Sequence, residues 1–322
     1  MPRSHPPAPA LVADIGGSTS RFALVVAGQR PHALLTLPND TVPNIEAAIA
    51  HYLDRVDGKP KFAVFAVAGP VSGDDVKLTN RDWCFRIPVL AARFGFGQLR
   101  VINDFEALAW ALPRLDGGDT RPIGRRLDPA GGAKVVLGPG TGLGVAALAP
   151  IDGSWNVVPS EGGHATFGPQ AGEEEAVFAR LRAECGHISA ETILSGPGLA
   201  RLHRVLHAQA AKLASEAIVD NARAGDAAAR STIALFVRLL GRFAGDVALT
   251  FKATGGVYIA GGVAMALGAL FDDALFRSAF EAHPPYQSML AAVPSYLMTC
   301  EEPGLLGCAA VVERLAGIES VP

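Results

Sequence analysis

The sequence predicts an α/β protein built from two related lobes, and three observations carry that expectation. Two glycine-rich hairpins recur at a distance, Leu11-Val-Ala-Asp-Ile-Gly-Gly-Ser-Thr-Ser-Arg-Phe-Ala-Leu-Val25 and Val135-Val-Leu-Gly-Pro-Gly-Thr-Gly-Leu-Gly-Val-Ala-Ala-Leu148. Each is an apolar strand, a tight turn and a second apolar strand, and Thr19 and Thr141 stand about 122 positions apart, the mark of a duplicated unit. Strand-like runs alternate with helical periods in both halves. Finally, 322 residues exceed one comfortable core, and a hydrophobic content of 49% can fill two.

Taken in order, residues 11–14, 21–27 and 33–37 read as a meander of three strands feeding a helix over 43–56, where Pro43 suits the first turn. Buried strands follow at 61–67 and 99–102, and a helix over 105–111, ended by Pro113, completes one α/β unit. The polar, glycine-rich segment 116–132 is the expected crossing into the second lobe. That lobe opens with the second hairpin and a strand at 155–158. Glu173, Glu174 and Glu175 suit a helix N-terminus and precede an apolar periodic stretch that stops at Cys185-Gly186. Asp226 is placed to cap a long helix reaching Lys252. A short buried strand then lies between the glycine pairs Gly255-Gly256 and Gly261-Gly262, which either admit something flat or simply turn the chain. The last helix, over 305–316 after Pro303-Gly304, is expected to pack back on the first lobe. The first ten residues, with prolines at 2, 6, 7 and 9, read as a mobile tail.

Composition narrows the function. The 28 basic and 31 acidic residues leave a net charge of -3 with no long run of Lys or Arg, so there is no footprint for nucleic acid or an anionic membrane. A small-molecule substrate is favoured. No apolar stretch reaches the length of a membrane span, because Arg238, Arg242, Asp246 and Lys252 interrupt the longest candidate. With no signal-peptide core at the N-terminus, the cytoplasm is the expected compartment. Cys84, Cys185, Cys300 and Cys308 have neither C-x-x-C spacing nor an adjacent histidine cluster, so they are expected as buried small apolar side chains rather than zinc ligands or disulfides.

The two turns read as a phosphate clamp. Without a Cβ, glycine lets several backbone N–H groups approach one anion, and Ser18, Thr19 and Thr141 add hydroxyls. Neither turn is a P-loop or a dinucleotide fingerprint: Leu143 breaks both patterns in the second turn, and neither turn contains lysine. Asp14 stands directly before the first turn. A carboxylate beside phosphates requires a divalent cation or its waters between them, which suits magnesium; otherwise Asp14 serves the turn itself.

Asn103-Asp104 lies where a strand ends and a helix starts, the edge at which α/β sheets bind ligands. Asp104 is therefore a helix N-cap, a general base, or both. Glu161 and His164, spaced by two glycines, and Glu191, shortly before Gly196-Pro-Gly198, add carboxylates and an imidazole in glycine-rich surroundings. Acceptors, an amide and an imidazole match a polyhydroxylated ligand, because each sugar hydroxyl both donates and accepts.

In order along the chain, Asp14-Ile-Gly-Gly-Ser18 with Arg21, Thr79-Asn80, Ile102-Asn-Asp104, Leu137-Gly-Pro-Gly-Thr-Gly-Leu-Gly144, Glu161-Gly-Gly-His164, Glu191, Ser195-Gly-Pro-Gly198 and Ile259-Ala-Gly-Gly-Val263 resemble the bacterial glucokinases of the hexokinase, actin and heat-shock-chaperone ATPase superfamily. The resemblance implies a two-lobed ribonuclease H-like, actin-like ATPase fold with the site in the cleft. The small lobe would be residues 1–114 with 305–322, and the large lobe 115–304. It implies that Asn103, Asp104, Glu161, His164 and Glu191 bind glucose, with Asp104 as the base. Ala13, Asp14, Ile15, Gly16, Gly17 and Ser18, with Gly140, Thr141 and Gly142, would hold the phosphates of ATP, Asp14 would reach Mg²⁺ through water, and Gly261 and Gly262 would meet the adenosine. The first turn reads Gly-Gly-Ser-Thr where the family often has Gly-Gly-Thr-Asn, so hydroxyl donors remain. The cysteine-rich zinc motif of the related repressor and sugar-kinase family is missing, and with ten residues before the first strand no DNA-binding helix-turn-helix is expected there, which argues against a regulator of that type. The expected activity is phosphoryl transfer from MgATP to the 6-hydroxyl of glucose, with no raised pKa required of Asp104, and a homodimer is expected from the resemblance. A kinase for another hexose, or a sugar- or nucleotide-responsive binding protein, are the alternatives.

Overall fold

In the computed structural model, residues 9–317 are described except for 58, 80, 171 and 208–211. Residues 1–8 of the expected tail, and Asn80, lie outside the described residues. The chain divides into two compact units, Met1–Leu115 with Ile151–Val157 and Glu301–Pro322, and Asp116–Pro150 with Val158–Cys300. No helix among the described residues is long and apolar enough to cross a membrane.

The first unit is built on strands β1 (Ala10–Ile15), β2 (Thr19–Val25), β3 (His32–Pro38), β4 (Phe62–Val67) and β7 (Gln98–Asn103), in the order β3-β2-β1-β4-β7. A small hairpin of β5 (Asp75–Lys77) and β6 (Cys84–Arg86) stands apart from that sheet. The helices are α1 (Ile45–Leu53), α2 (Ile87–Phe94), α3 (Asp104–Ala111) and a C-terminal helix, Pro303–Leu315. Strand periodicity decides what each helix covers. Leu11, Ala13 and Ile15 of β1 and Ala63, Phe65 and Val67 of β4 join Ile45, Ile49 and Tyr52 of α1 in one core. The alternate residues, Ala10 and Val12 with Val64 and Ala66, face Ala107 of α3 and Leu305, Cys308 and Ala309 of the C-terminal helix. Both faces are therefore buried, which explains the near-continuous apolar runs of β1 and β4.

β1, β4 and β7 run parallel, and Ile15 pairs with Val67 as Val67 pairs with Asn103. Their carboxyl ends are level, so the turn after β1 and the helix after β7 share one edge of the sheet. α1 starts two residues later than Pro43 suggests, because Asn44 caps it by accepting from the Ala47 N–H at 2.9 Å. Of the cysteines, only Cys308 is buried; Cys84 is exposed and Cys185 and Cys300 are intermediate, so the expectation of four buried thiols is corrected.

A six-stranded sheet, which belongs to the second unit apart from Ile151–Val157, consists of β8 (Thr120–Pro122), β9 (Lys134–Pro139), β10 (Leu143–Ile151), β11 (Ser154–Ser160), β12 (Gly256–Ile259) and β13 (Ser295–Met298), ordered β11-β10-β9-β12-β13-β8. The first five repeat the strand order of the first sheet, and in both a hairpin is followed by parallel strands at its inner edge. Segment 116–132 is not only a crossing, since β8 extends the sheet by pairing with β13. Helices α4 (Glu173–Cys185), α5 (Ala190–Ile193), α6 (Gly196–Leu206), α7 (Ser215–Arg223), α8 (Ala227–Phe251), α9 (Gly262–Leu267), α10 (Asp273–Glu281) and α11 (Gln287–Ala291) complete the unit. Asp226 caps α8 through the Ala229 N–H at 2.7 Å, as its position suggested. Phe236, Leu240 and Ala244 on its inner face join Val135, Leu137 and Ile259 of the sheet in a single core.

The C-terminal helix meets α3 so closely at Gly307 that a Cβ there would overlap the backbone carbonyl of Ala107. Gly307→Ala is expected to force the two helices apart and lower the unfolding free energy by about 1–3 kcal/mol, read by urea titration. An unchanged midpoint would refute the close packing.

Candidate active site

In the first unit the turn between β1 and β2 is closed by the Gly16 N–H donating to the Thr19 carbonyl at 3.0 Å. Ala13 and Ile15 point wholly buried side chains into the core, so they offer this site main-chain atoms only. Asp14 lies 3.8 Å from Arg21, whose Nε is 2.9 Å from Glu302. The C-terminal helix starts against it: a Cβ on Gly304 would come within 2.7 Å of the Asp14 carboxylate. The positive end of that helix favours a negative charge there.

Across the same edge, Asn103 rather than Asp104 is the cap of α3. Its Oδ1 accepts from the N–H groups of Phe105 at 2.9 Å and Glu106 at 3.4 Å, while its Nδ2 donates to the Gly69 carbonyl at 3.1 Å. The N-cap reading of Asp104 is thereby corrected. Asp104 is the first residue of the helix, and its Oδ1 accepts from Phe105 N–H at 2.9 Å.

In the second unit the residues singled out from the sequence gather around the second hairpin turn. Gly140 N–H donates to the Gly142 carbonyl at 2.8 Å, and the Gly140 carbonyl accepts from Gly196 at the start of α6, also at 2.8 Å. Glu191 leans on this turn, its Oε2 accepting from Leu143 N–H at 2.8 Å and its Oε1 lying 3.9 Å from Nδ1 of His164. Ser189 and Thr192 form a capping box on α5 that holds Glu191 in place. Glu161 and His164 bracket a short turn in which His164 N–H donates to the Glu161 carbonyl at 2.9 Å, and both side chains are exposed. Gly261, with φ 88°, brings the backbone against Pro139 so tightly that no side chain fits. That approach is to the protein's own backbone, and a Cβ on Gly262 would meet nothing within 4 Å.

A family model described as glucokinase matches residues 11–315. The chain belongs to the glucokinase family. It is 41% identical over 318 residues to the glucokinase of Aromatoleum aromaticum, covering 96% of each chain. It is 42% identical over 314 residues to the bifunctional protein glk of Burkholderia orbicola, covering 96% of this chain and 49% of that one. The chain thus spans about half the length of the curated relatives it first matches. A crystal structure of a glucokinase from an Antarctic psychrotroph aligns with a TM-score of 0.88 at 34% identity, over 95% of this chain and 99% of that one. The two mixed-sheet units are those of the actin-like ATPase fold implied by the motifs.

Within this glucokinase-family chain the electrostatics single out Asp104. Burial, then the negative charge of Asp14, push its carboxyl up to about 6, against the pull of the Phe105 N–H and the Asn103 side chain. No such shift was expected from the sequence; it arises because folding buries the carboxyl and, secondarily, brings the Asp14 carboxylate to the same sheet edge. Burial also raises Asp14 above the ordinary carboxylate range, with Arg21 opposing. Among the described residues no three His, Cys, Asp or Glu side chains assemble as a metal cluster. The Asp14 carboxylate beside the first turn fits a cation that keeps most of its waters, as magnesium does.

Sequence reasoning missed Asn39, Arg81 and Glu302, which surround the first turn. Only the pairing of β2 with β3, opposing Thr19 to Pro38, brings Asn39 there. Because Asp104 holds its proton more tightly folded than unfolded, its contribution to stability is present at low pH and is lost as pH rises from 3.8 through about 6. Asp104→Asn is expected to leave stability unchanged near pH 4 and to raise it by roughly 2–3 kcal/mol near pH 8. Urea unfolding at both pH values checks this, and equal effects at the two would contradict it.

Proposed function

We propose that the chain transfers the terminal phosphoryl group of ATP to the 6-hydroxyl of glucose, giving glucose 6-phosphate and ADP. One observation carries the reading: a carboxyl with its pKa raised to about 6 stands at the same sheet edge as a turn rich in backbone N–H groups. A base of that strength is ionised at neutral pH yet close enough to it to accept a proton. Membership of the glucokinase family supports the same substrates.

In this mechanism residues 13–18 and the Gly140, Thr141 and Gly142 turn hold the phosphates through N–H and hydroxyl groups, and Gly261 and Gly262 lie against the adenosine. Asn103, Glu161, His164 and Glu191 hold the sugar hydroxyls. Asp104 orients the 6-hydroxyl and accepts its proton late, when the developing bond to phosphorus has made it acidic. Asp14 would hold Mg²⁺ through water, and the ion supplies neutralisation of phosphate charge. Asn103 has only part of its amide left for a sugar, because it also caps α3. A cytoplasmic homodimer belongs to the same proposal, supported by the family.

A coupled ADP-release assay with glucose, mannose, fructose, N-acetylglucosamine and a no-sugar blank tests the reading. Glucose-dependent release supports it; release with another hexose alone moves the assignment to that sugar, and no sugar dependence leaves a binding protein. Asp104→Ala is expected to lower turnover at least ~100-fold while retaining part of the glucose binding. In the unmodified chain, kcat/KM should fall below about pH 6 as Asp104 takes up its proton. Near-normal turnover in Asp104→Ala would falsify the base assignment.

A further inference from the structure

We propose that Asn39 is the positioning residue of the first phosphate turn, aiming the N–H groups of Gly17, Ser18 and Thr19 at the ATP phosphates, with Arg81 locking it in place. The inference rests on reading residues 13–18 as a phosphate site and adds what makes that site work.

Asn39 follows β3 and is fully buried. Its Nδ2 donates to the carbonyls of Gly16 at 2.8 Å and Gly17 at 3.1 Å, and its own backbone N–H donates to the Ser18 carbonyl at 2.8 Å. Three successive carbonyls of the turn are thus drawn to one residue. A trans peptide is planar, with its C=O and the next N–H pointing in opposite directions. Capturing the carbonyls of Gly16, Gly17 and Ser18 therefore turns the N–H groups of Gly17, Ser18 and Thr19 away from Asn39. Among the described residues, no group accepts from the N–H of Gly17 or Ser18. Successive N–H groups directed outward make an anion-binding concavity.

The orientation of the Asn39 amide is fixed by its surroundings. Two carbonyls require the NH₂ on one side, and Ser20 Oγ donates to Oδ1 at 2.7 Å on the other. Both amide hydrogens and the amide oxygen are used. Arg81 completes the arrangement: one guanidinium nitrogen donates to the Asn39 carbonyl at 2.7 Å and the other to the Gly17 carbonyl at 3.3 Å and to Asp40 at 2.8 Å. The guanidinium also lies over the ring of Trp83, 4.8 Å from its centroid. An isosteric carboxylate at position 39 would set an oxygen against two carbonyl oxygens and release the peptide planes, without changing the volume of the site.

The test compares the unmodified chain with Asn39→Asp, Asn39→Ala and Arg81→Gln. Binding of the ATP analogue AMP-PNP with Mg²⁺, and of glucose, is measured by calorimetry, alongside KM for each substrate. Both Asn39 variants are expected to weaken nucleotide binding at least ~10-fold and raise KM for ATP by a similar factor, with glucose affinity held within about twofold. Arg81→Gln, which keeps Asn39, should give the same split with a smaller loss, about threefold. Unchanged nucleotide affinity in Asn39→Asp, or equal loss of nucleotide and glucose, overturns the proposal. If neither Asn39 variant folds, Arg81→Gln decides by the same split. An unmodified chain that binds no nucleotide instead overturns the phosphate-site reading itself, whereas a nucleotide-binding chain indifferent to Asn39→Asp overturns only this inference.

Discussion

The level register of three parallel strands is the constraint on which the rest of the first unit depends. Ile15, Val67 and Asn103 lie side by side where β1, β4 and β7 end, so a hairpin turn, the Gly69 backbone and the start of α3 all open on one edge. A shift of one residue in any of these strands would exchange its two buried faces, placing Leu11, Ala13 and Ile15 against the C-terminal helix instead of α1. The cores on the two sides of the sheet thereby fix the geometry of the groups at its end.

That edge carries an electrostatic cost. Asp14 and Asp104 are both held above the ordinary carboxylate range, and each ionised form makes the other less favourable. Arg21 and the N-terminus of the C-terminal helix offset part of this for Asp14, and for Asp104, which starts α3, the Phe105 N–H, the Asn103 side chain and its own N–H do the same. The proposed role of Asp104 as proton acceptor draws on this destabilisation.

The two glycine hairpins organise their backbones by different means. In the first, a buried asparagine captures three carbonyls. In the second, the Gly140 carbonyl is held by the N–H of Gly196 at the start of α6, and a carboxylate, Glu191, accepts from Leu143 N–H. Glu191 therefore bonds the turn on one side and faces His164 on the other, joining the elements proposed to hold phosphate and sugar within one unit. The two sheets share a strand order, yet each turn has its own supports.

The sequence by itself determined the strands β1–β4, β7 and β9–β12, the two turns, the caps at Asp226 and Gly186, and the residue types proposed to carry chemistry, because these depend on local periodicity, on glycine geometry and on short-range hydrogen bonds. It could not reveal Asn39, Arg81 or Glu302 at the first turn, nor the raised pKa of Asp104. Those follow from contacts between residues far apart in the chain, such as Gly17 with Arg81 and Arg21 with Glu302, and from the exclusion of water by a core assembled from four helices and a sheet. Burial and like-charge proximity act through space, so only the tertiary structure decided which polar side chains meet and how tightly each holds its proton.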